Sequence, residues 1–314
     1  MRTDYENDII RKLIRFGERT AQIRAMVLTS SMCNPNAPTD ILSDFDIEIF
    51  FEDPIPFTED DAWIEEMGFG SLMAIWHWPN EWDHEPGHDR SWMRMSYFMD
   101  GTKMDITLGC VDDLRKISNE SSLTPHYDIG YEVLLDKDSV TASMKPPTYQ
   151  AYILKPPSEA QFKSRVETFW MESTYVAKFL WRGDVTAAKW RLAEMAGRNL
   201  VEALNWCIAM DKGWTWKPSS CARGVEKALD PDTRTELIAS FAGGEIDNLW
   251  ESLFRTSALY RKAVTRVGEG LGFAYPHDLD ARVTAFHQTL RTLSKTASRE
   301  ELAGILAMGY HDHA

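Results

Sequence analysis

Two proline pairs divide this chain. Pro146-Pro147 and Pro156-Pro157 bracket a stretch that cannot run as continuous helix, because each ring removes an N–H donor and restricts the residue before it. Before the prolines, strand patterns recur between short helical ones. FDIEIFF (45–51) alternates acids with aromatic and β-branched residues, the pattern of a half-buried strand. SLMAIWHW (71–78) and SWMRMSYFM (91–99) read as strands, and Asp100-Gly101 as a hairpin turn into a further strand, KMDITLG (103–109). YEVLLDKD (131–138) closes the set. Ile9, Ile10, Leu13 and Ile14 predict a first helix over 4–21, followed by an apolar run, Ile23 to Thr29. EDDAWIEEM (59–67) predicts a helix with an acidic first turn. After the prolines, Ser158 caps a long helical stretch whose apolar side carries Phe162, Val166, Phe169, Trp170 and Val176. Further helices are predicted over 184–211, 222–229, 232–242, 245–271 and 278–294. The expectation is an α+β protein, with a mixed-sheet domain at 1–148, a hinge near 145–157, and an all-helical domain at 149–314.

Charge narrows the function classes. The 314 residues carry 34 Lys+Arg against 48 Asp+Glu, a net charge of −14, which argues against a nucleic-acid binder working through bulk positive charge. It would suit a cationic ligand, although solubility alone accounts for many acidic surfaces. Twelve Trp must be either core or the lining of an aromatic cleft. Cys33, Cys110, Cys207 and Cys221 are scattered, with no Cys-x-x-Cys pair and no His at zinc-ligand spacing. The N-terminal stretch lacks a continuous apolar run, and no segment reaches the roughly 18 apolar residues of a membrane span. The expectation is a cytoplasmic protein with free thiols and no membrane or nucleic-acid partner.

Two histidine motifs are set aside. His84-Glu85-Pro86-Gly87-His88 matches the zinc-protease letters, but Pro86 and Gly87 break the helix that would put both imidazoles on one face. His311-Asp312-His313 reads as a frayed tail. Asp44-Phe45-Asp46 is more informative. In a strand, residues i and i+2 point the same way, about 7 Å apart, so two carboxylates can share a hard cation such as Mg²⁺. Three other Asp-x-Asp pairs, Asp136/Asp138, Asp230/Asp232 and Asp278/Asp280, look like turns or helix starts. The first pair differs in context. It opens a strand after a Ser-rich loop, and a third acid, Asp105, lies in a later strand, where an unpaired charge among Met104 and Ile106 would be costly. Such a triad suits transfer at phosphorus, with metal neutralising a triphosphate and one carboxylate accepting a proton. The alternative is an exposed strand face shared with Lys103 and Thr107.

At this point the chain resembles a known family. TSSMCNPNAPTDILSDFDIEIFFED, MDGTKMDITLG, VLLDKDS, ETFWMESTYVAKFLWRGD and LGFAYPHD occur in the order found in the aminoglycoside 6-adenylyltransferases, the streptomycin adenylyltransferase type. The resemblance implies a nucleotidyltransferase-fold N-terminal domain, a helical-bundle C-terminal domain, and ATP·Mg²⁺ in the cleft between them. It implies that Asp44 and Asp46 are the metal pair and that Asp105 is a third ligand or the general base. Ser30 and Ser31 would hold the triphosphate, and Lys178 would meet its β- and γ-phosphates. The acceptor would be a cationic aminoglycoside such as streptomycin, receiving AMP with release of pyrophosphate. Another small-molecule acceptor, or a relative that binds nucleotide or drug without turnover, are the competing readings.

One departure stands out. The family's loop usually reads Gly-Ser-Arg, and this chain has Ser30-Ser31-Met32. Ser30 gives up a glycine that lets backbone approach phosphate, and Met32 removes a cation able to pair with phosphate oxygens. Compensation would fall to Lys178 or Arg182. Between two strands, WHWPNEWDHEPGHDRSW offers four Trp beside Glu81, Asp83, Glu85 and Asp89. These residues would suit either a wall for a cationic sugar or an aromatic mini-core.

Overall fold

A computed structural model describes residues 2–78 and 92–311. The chain forms two compact units, Met1–Tyr152 and Ile153–Ala314. The first holds a six-stranded mixed sheet and the second, among the described residues, only helices, which is the α+β class read from the sequence.

In the first unit the strands are β1 (Ile23–Thr29), β2 (Phe45–Phe51), β3 (Leu72–Trp78), β4 (Trp92–Phe98), β5 (Lys103–Cys110) and β6 (Tyr131–Asp136). Their order is β3-β4-β5-β2-β1-β6, with β2 and β5 parallel and the other neighbours antiparallel. Strand alternation sorts β2 cleanly: Phe45, Ile47, Ile49 and Phe51 enter one core, while Asp46, Glu48 and Phe50 face the other way. The first core is sealed by α1 (Asp4–Arg19), α2 (Pro56–Glu59) and α3 (Ala62–Glu66), through Ile9, Leu13, Phe16, Trp63 and Ile64. The second is smaller. There α4 (Val111–Asn119) and α5 (Pro125–Asp128) bring Val111, Leu114 and Tyr127 onto Phe50, Ala25 and Val27. The acids of β2 therefore lie on a face that is apolar at one end and polar at the other.

The second unit is built from α6 (Glu159–Arg182), α7 (Val185–Met195), α8 (Val201–Asp211), α9 (Val225–Ala228), α10 (Pro231–Ala239), α11 (Ile246–Leu271), α12 (His277–Thr292) and α13 (Arg299–His311). A capping box between Ser158 and Gln161 starts α6, and Gly183, at φ 84°, ends it in the left-handed conformation a side chain disfavours. Phe162, Phe169, Trp170 and Leu180 of α6 meet Trp206 of α8 and Tyr260 of α11 in one core. The Phe169 and Tyr260 rings stack with centroids 3.6 Å apart. Trp170 Nε1 donates to Tyr275 Oη, which donates to Asp280, and Asp280 also pairs with Arg261. A buried indole and phenol thus keep their polar atoms satisfied.

Four expectations change. The helix predicted over 59–67 is split between α2 and α3, because Asp60 and Asp61 turn the chain; Asp61 then holds Arg94 of β4 at 2.7 Å. The helix predicted over 184–211 contains a π-turn at Ala196–Leu200 between α7 and α8. α4, α5 and α13 answer to no predicted helix. Of the Trp load, Trp63, Trp170, Trp206 and Trp250 are core, whereas Trp76 and Trp190 are exposed. The histidine motif at 84–88, and most of the Trp-rich stretch around it, lie outside the described residues. No described helix is long and apolar enough to cross a membrane.

Candidate active site

The site begins with strand register. β2 and β5 run parallel with Asp46 opposite Asp105, so residues 59 positions apart in sequence become neighbours on one face. Asp44 sits just before β2 rather than opening it, and reaches the same end of the strand pair through Lys103. The three predicted acids are brought together. Lys103, two residues before Asp105 and on the same face, spans two of them: its Nζ donates to Asp44 Oδ2 at 2.6 Å and to Asp105 Oδ2 at 2.8 Å. The other Asp-x-Asp pairs do what their contexts suggested. Asp136 accepts three backbone N–H bonds in a turn, Asp230 caps α10, and Asp278 and Asp280 lie in the first turn of α12.

Electrostatics mark Asp46 as the strained member. Burial, then repulsion from Asp105 and Asp44, pushes its pKa up to about 6, while a hydrogen bond from Ser30 and the charge of Lys103 pull the other way. Asp105 Oδ1 is buried and has no hydrogen-bond partner. Two of the three carboxylates share one ammonium, all donors are hard oxygens, and one buried oxygen is orphaned. That donor set fits a divalent cation such as Mg²⁺. The oxygens are not gathered into a closed coordination set, since among the described residues no three such side chains stand at metal-holding spacing.

The loop after β1 supplies the next part. Ser30–Cys33 forms one turn of 3₁₀ helix, and Ser30 has φ 62°. The left-handed conformation that glycine would adopt freely is therefore kept by a serine. The cost of serine at this position is backbone strain, and its hydroxyl acts on the Asp46 carboxylate. Met32 packs half-buried against the core beneath the sheet, beside Cys33. Ser31 lies in the same turn, with its carbonyl accepting from Asn34 N–H.

A family model described as streptomycin adenylyltransferase matches residues 1–290. The chain belongs to that family. An aminoglycoside 6-adenylyltransferase from Bacillus subtilis (strain 168) is 30% identical over 283 residues, covering 90% of this chain and 96% of that protein. One from Staphylococcus aureus is 27% identical over 278 residues, covering 88% and 95%. The crystal structure of an aminoglycoside 6-adenyltransferase from Bacillus subtilis aligns with 93% of this chain and 100% of its own, at 26% identity and a TM-score of 0.45.

Lys178, the family-derived candidate for phosphate contact, lies on α6 of the helical unit, its ammonium 4.3 Å from the centre of the Tyr175 ring. Arg182, at the exposed end of the same helix, is in its last turn. Sequence reasoning passed over three polar residues at the acidic edge. Lys103 was seen only as an exposed neighbour, yet its side chain is 16% exposed and bridges two acids. Glu48, on the same β2 face as Asp46, is held by His126 Nε2 at 2.7 Å and by the Tyr127 hydroxyl. The D-x-D-x-E alternation of β2 was a usable signal for Glu48. For His126, 78 residues away, no local pattern existed.

Proposed function

We propose that this protein transfers AMP from ATP to a hydroxyl of an aminoglycoside such as streptomycin, in the cytoplasm, with Mg²⁺ as cofactor and pyrophosphate as the second product. The observation that carries this reading is the meeting of Asp44, Asp46 and Asp105 at the starting ends of the two central strands, beside the Ser30 loop, in a chain of this family. In the reaction the acceptor oxygen forms a bond to the α-phosphorus, the bond from that phosphorus to the pyrophosphate oxygen breaks, and the hydroxyl proton leaves to a base. Bound Mg²⁺ supplies charge neutralisation along the phosphate chain. Asp44 and Asp46 would hold it, with Asp105 as a third ligand or as the base; the unpartnered Oδ1 of Asp105 can serve either role.

The remaining steps belong to the chain's own side chains. Lys103 keeps Asp44 and Asp105 close together despite their like charge. Ser30 orients the Asp46 carboxylate through its hydroxyl and presents the loop's N–H groups toward a phosphate. Lys178 is the residue we propose for the β- and γ-phosphates, on the strength of its place in the ETFWMESTYVAKFLWRGD stretch. Incubating the protein with ATP, Mg²⁺ and an aminoglycoside panel should yield a drug one AMP heavier by mass spectrometry. Asp46→Asn should abolish that product while leaving the circular dichroism spectrum intact. Absence of product across the panel, or undiminished turnover in the variant, refutes the assignment.

A further inference from the structure

Met32 leaves this chain's phosphate loop without a side-chain cation, and the structure places another one nearby. His126 reaches the acidic face from α5, and its Nε2 meets Glu48 Oε1 at 2.7 Å. Glu48 is one strand step beyond Asp46 on the same face, so the imidazole lies on the flank of Asp46. The segment carrying it is seated on the phosphate loop itself. Gly130, four residues on, has φ 131°, and a Cβ there would stand 2.6 Å from the carbonyl oxygen of Cys33 and 3.2 Å from Asn34 N. Glycine at 130 is what permits the α5–β6 turn to touch the end of the Ser30–Cys33 loop. Thr29, just before Ser30, pairs with Tyr131 in the adjoining strands.

The charge of the imidazole follows from its surroundings. The Glu48 carboxylate hydrogen-bonds it, the Asp46 carboxylate lies close enough to act on it, and both favour the protonated ring over the effect of burial. Tyr127, the other group packed against Glu48, has its hydroxyl donated to the same carboxylate and its pKa pushed up by burial, so it stays neutral. The imidazolium side chain is 46% exposed, and its bond to Glu48 is made through Nε2 alone. The edge-on contact with the Tyr127 ring, centroids 5.1 Å apart, fixes its orientation.

Resting on the adenylyl-transfer reading above, we propose that His126 is a nucleotide-binding residue whose free ring N–H donates to a phosphate oxygen of ATP, replacing a cation the Ser30-Ser31-Met32 loop lacks. Lys103 does not fill this role because both its bonds go to Asp44 and Asp105. Arg2 does not fill it because its guanidinium is committed to Glu132, at 3.1 and 2.5 Å.

The test is calorimetry of full-length protein with α,β-methylene-ATP and Mg²⁺, run beside steady-state AMP transfer. His126→Phe keeps the ring and its packing on Tyr127 but removes the donor; affinity should fall about fivefold to tenfold, seen also as a raised KM for ATP with kcat little changed. His126→Gln keeps a neutral donor and should lie between the two, which carries the test if the Phe variant does not fold. Undiminished affinity in these variants, while the wild type still transfers AMP, overturns this inference alone. A fall in kcat with unchanged nucleotide affinity also overturns it, since the imidazole would then act in proton transfer. Failure of the wild type to bind the analogue would overturn both this inference and the adenylyl-transfer reading.

Discussion

Ser30 offers a direct measure of what this chain sacrifices in the loop after β1. Its φ of 62° lies where a Cβ crowds the following carbonyl, at about 1–2 kcal/mol for a non-glycine residue. Ser30→Gly relieves that strain but gives back about 0.4–1 kcal/mol through the greater freedom of the unfolded chain. It also removes the hydroxyl that hydrogen-bonds Asp46. Ser30→Ala removes the same hydroxyl and keeps the strain. Comparing the two substitutions cancels the hydrogen bond and isolates the backbone, leaving glycine ahead by roughly 0.5–1 kcal/mol. For a unit of about 150 residues this corresponds to about 1–4 °C in Tm. Thermal unfolding in EDTA, followed by calorimetry so that the transitions of the two units can be resolved, reads the difference. An alanine variant as stable as the glycine variant, or more so, would refute the claim that the loop holds serine under strain. Both variants should also lose affinity for ATP, because each loses the bond that orients Asp46.

Three further outcomes follow from named contacts. Gly130→Ala forces a Cβ against the Cys33 carbonyl at positive φ, and should cost more than about 2 kcal/mol in urea unfolding while weakening ATP binding by displacing the loop. Lys103→Met leaves Asp44 and Asp105 without their shared cation. In EDTA its Tm should fall below that of the wild type, and added Mg²⁺ should raise it by a larger increment than in the wild type; equal increments would show that the ammonium does not neutralise the metal site. His287 is buried, its Nε2 has no hydrogen-bond partner, and burial pushes its pKa down to about 4. Because the unfolded imidazole binds its proton nearer 6.5, the stability it contributes is complete above that pH and is lost as pH falls toward 4, by roughly 3 kcal/mol. His287→Phe should flatten the stability profile across that window, and a profile unchanged by the substitution would contradict the assignment.

Much of the architecture was legible because its signals are local. The alternation of FDIEIFF tells which side chains share a face whatever the strand pairs with, and Ser158 and Gly183 mark the ends of α6 by capping chemistry alone. Breaks were harder to read. α2 and α3 divide at Asp60-Asp61, whose carboxylates serve Ala62 N–H and Arg94, and the π-turn at Ala196–Leu200 disturbs no hydrophobic spacing that a single helix would show. α4 went unread because Val111 and Leu114, its buried pair, make too short a pattern to stand out beside the preceding strand.

The acids themselves were visible in the chain, as residue types at strand spacing, whereas the departure at Met32 showed only against the family's Gly-Ser-Arg loop. Tertiary structure decided how they work. Parallel pairing of β2 with β5 is a non-local choice of partner and register, and only that choice sets Asp46 against Asp105 with Lys103 between two of the three carboxylates. The left-handed backbone at Ser30 is likewise imposed from outside the tripeptide, because serine would not adopt it unaided. His126 enters the same face because Gly130 lets its segment rest on the loop. A strand's period is written into consecutive residues, whereas a neighbour across the sheet is selected by the packing of the whole unit. For that reason the chain alone determined which chemistry was present, and the fold determined which groups share it.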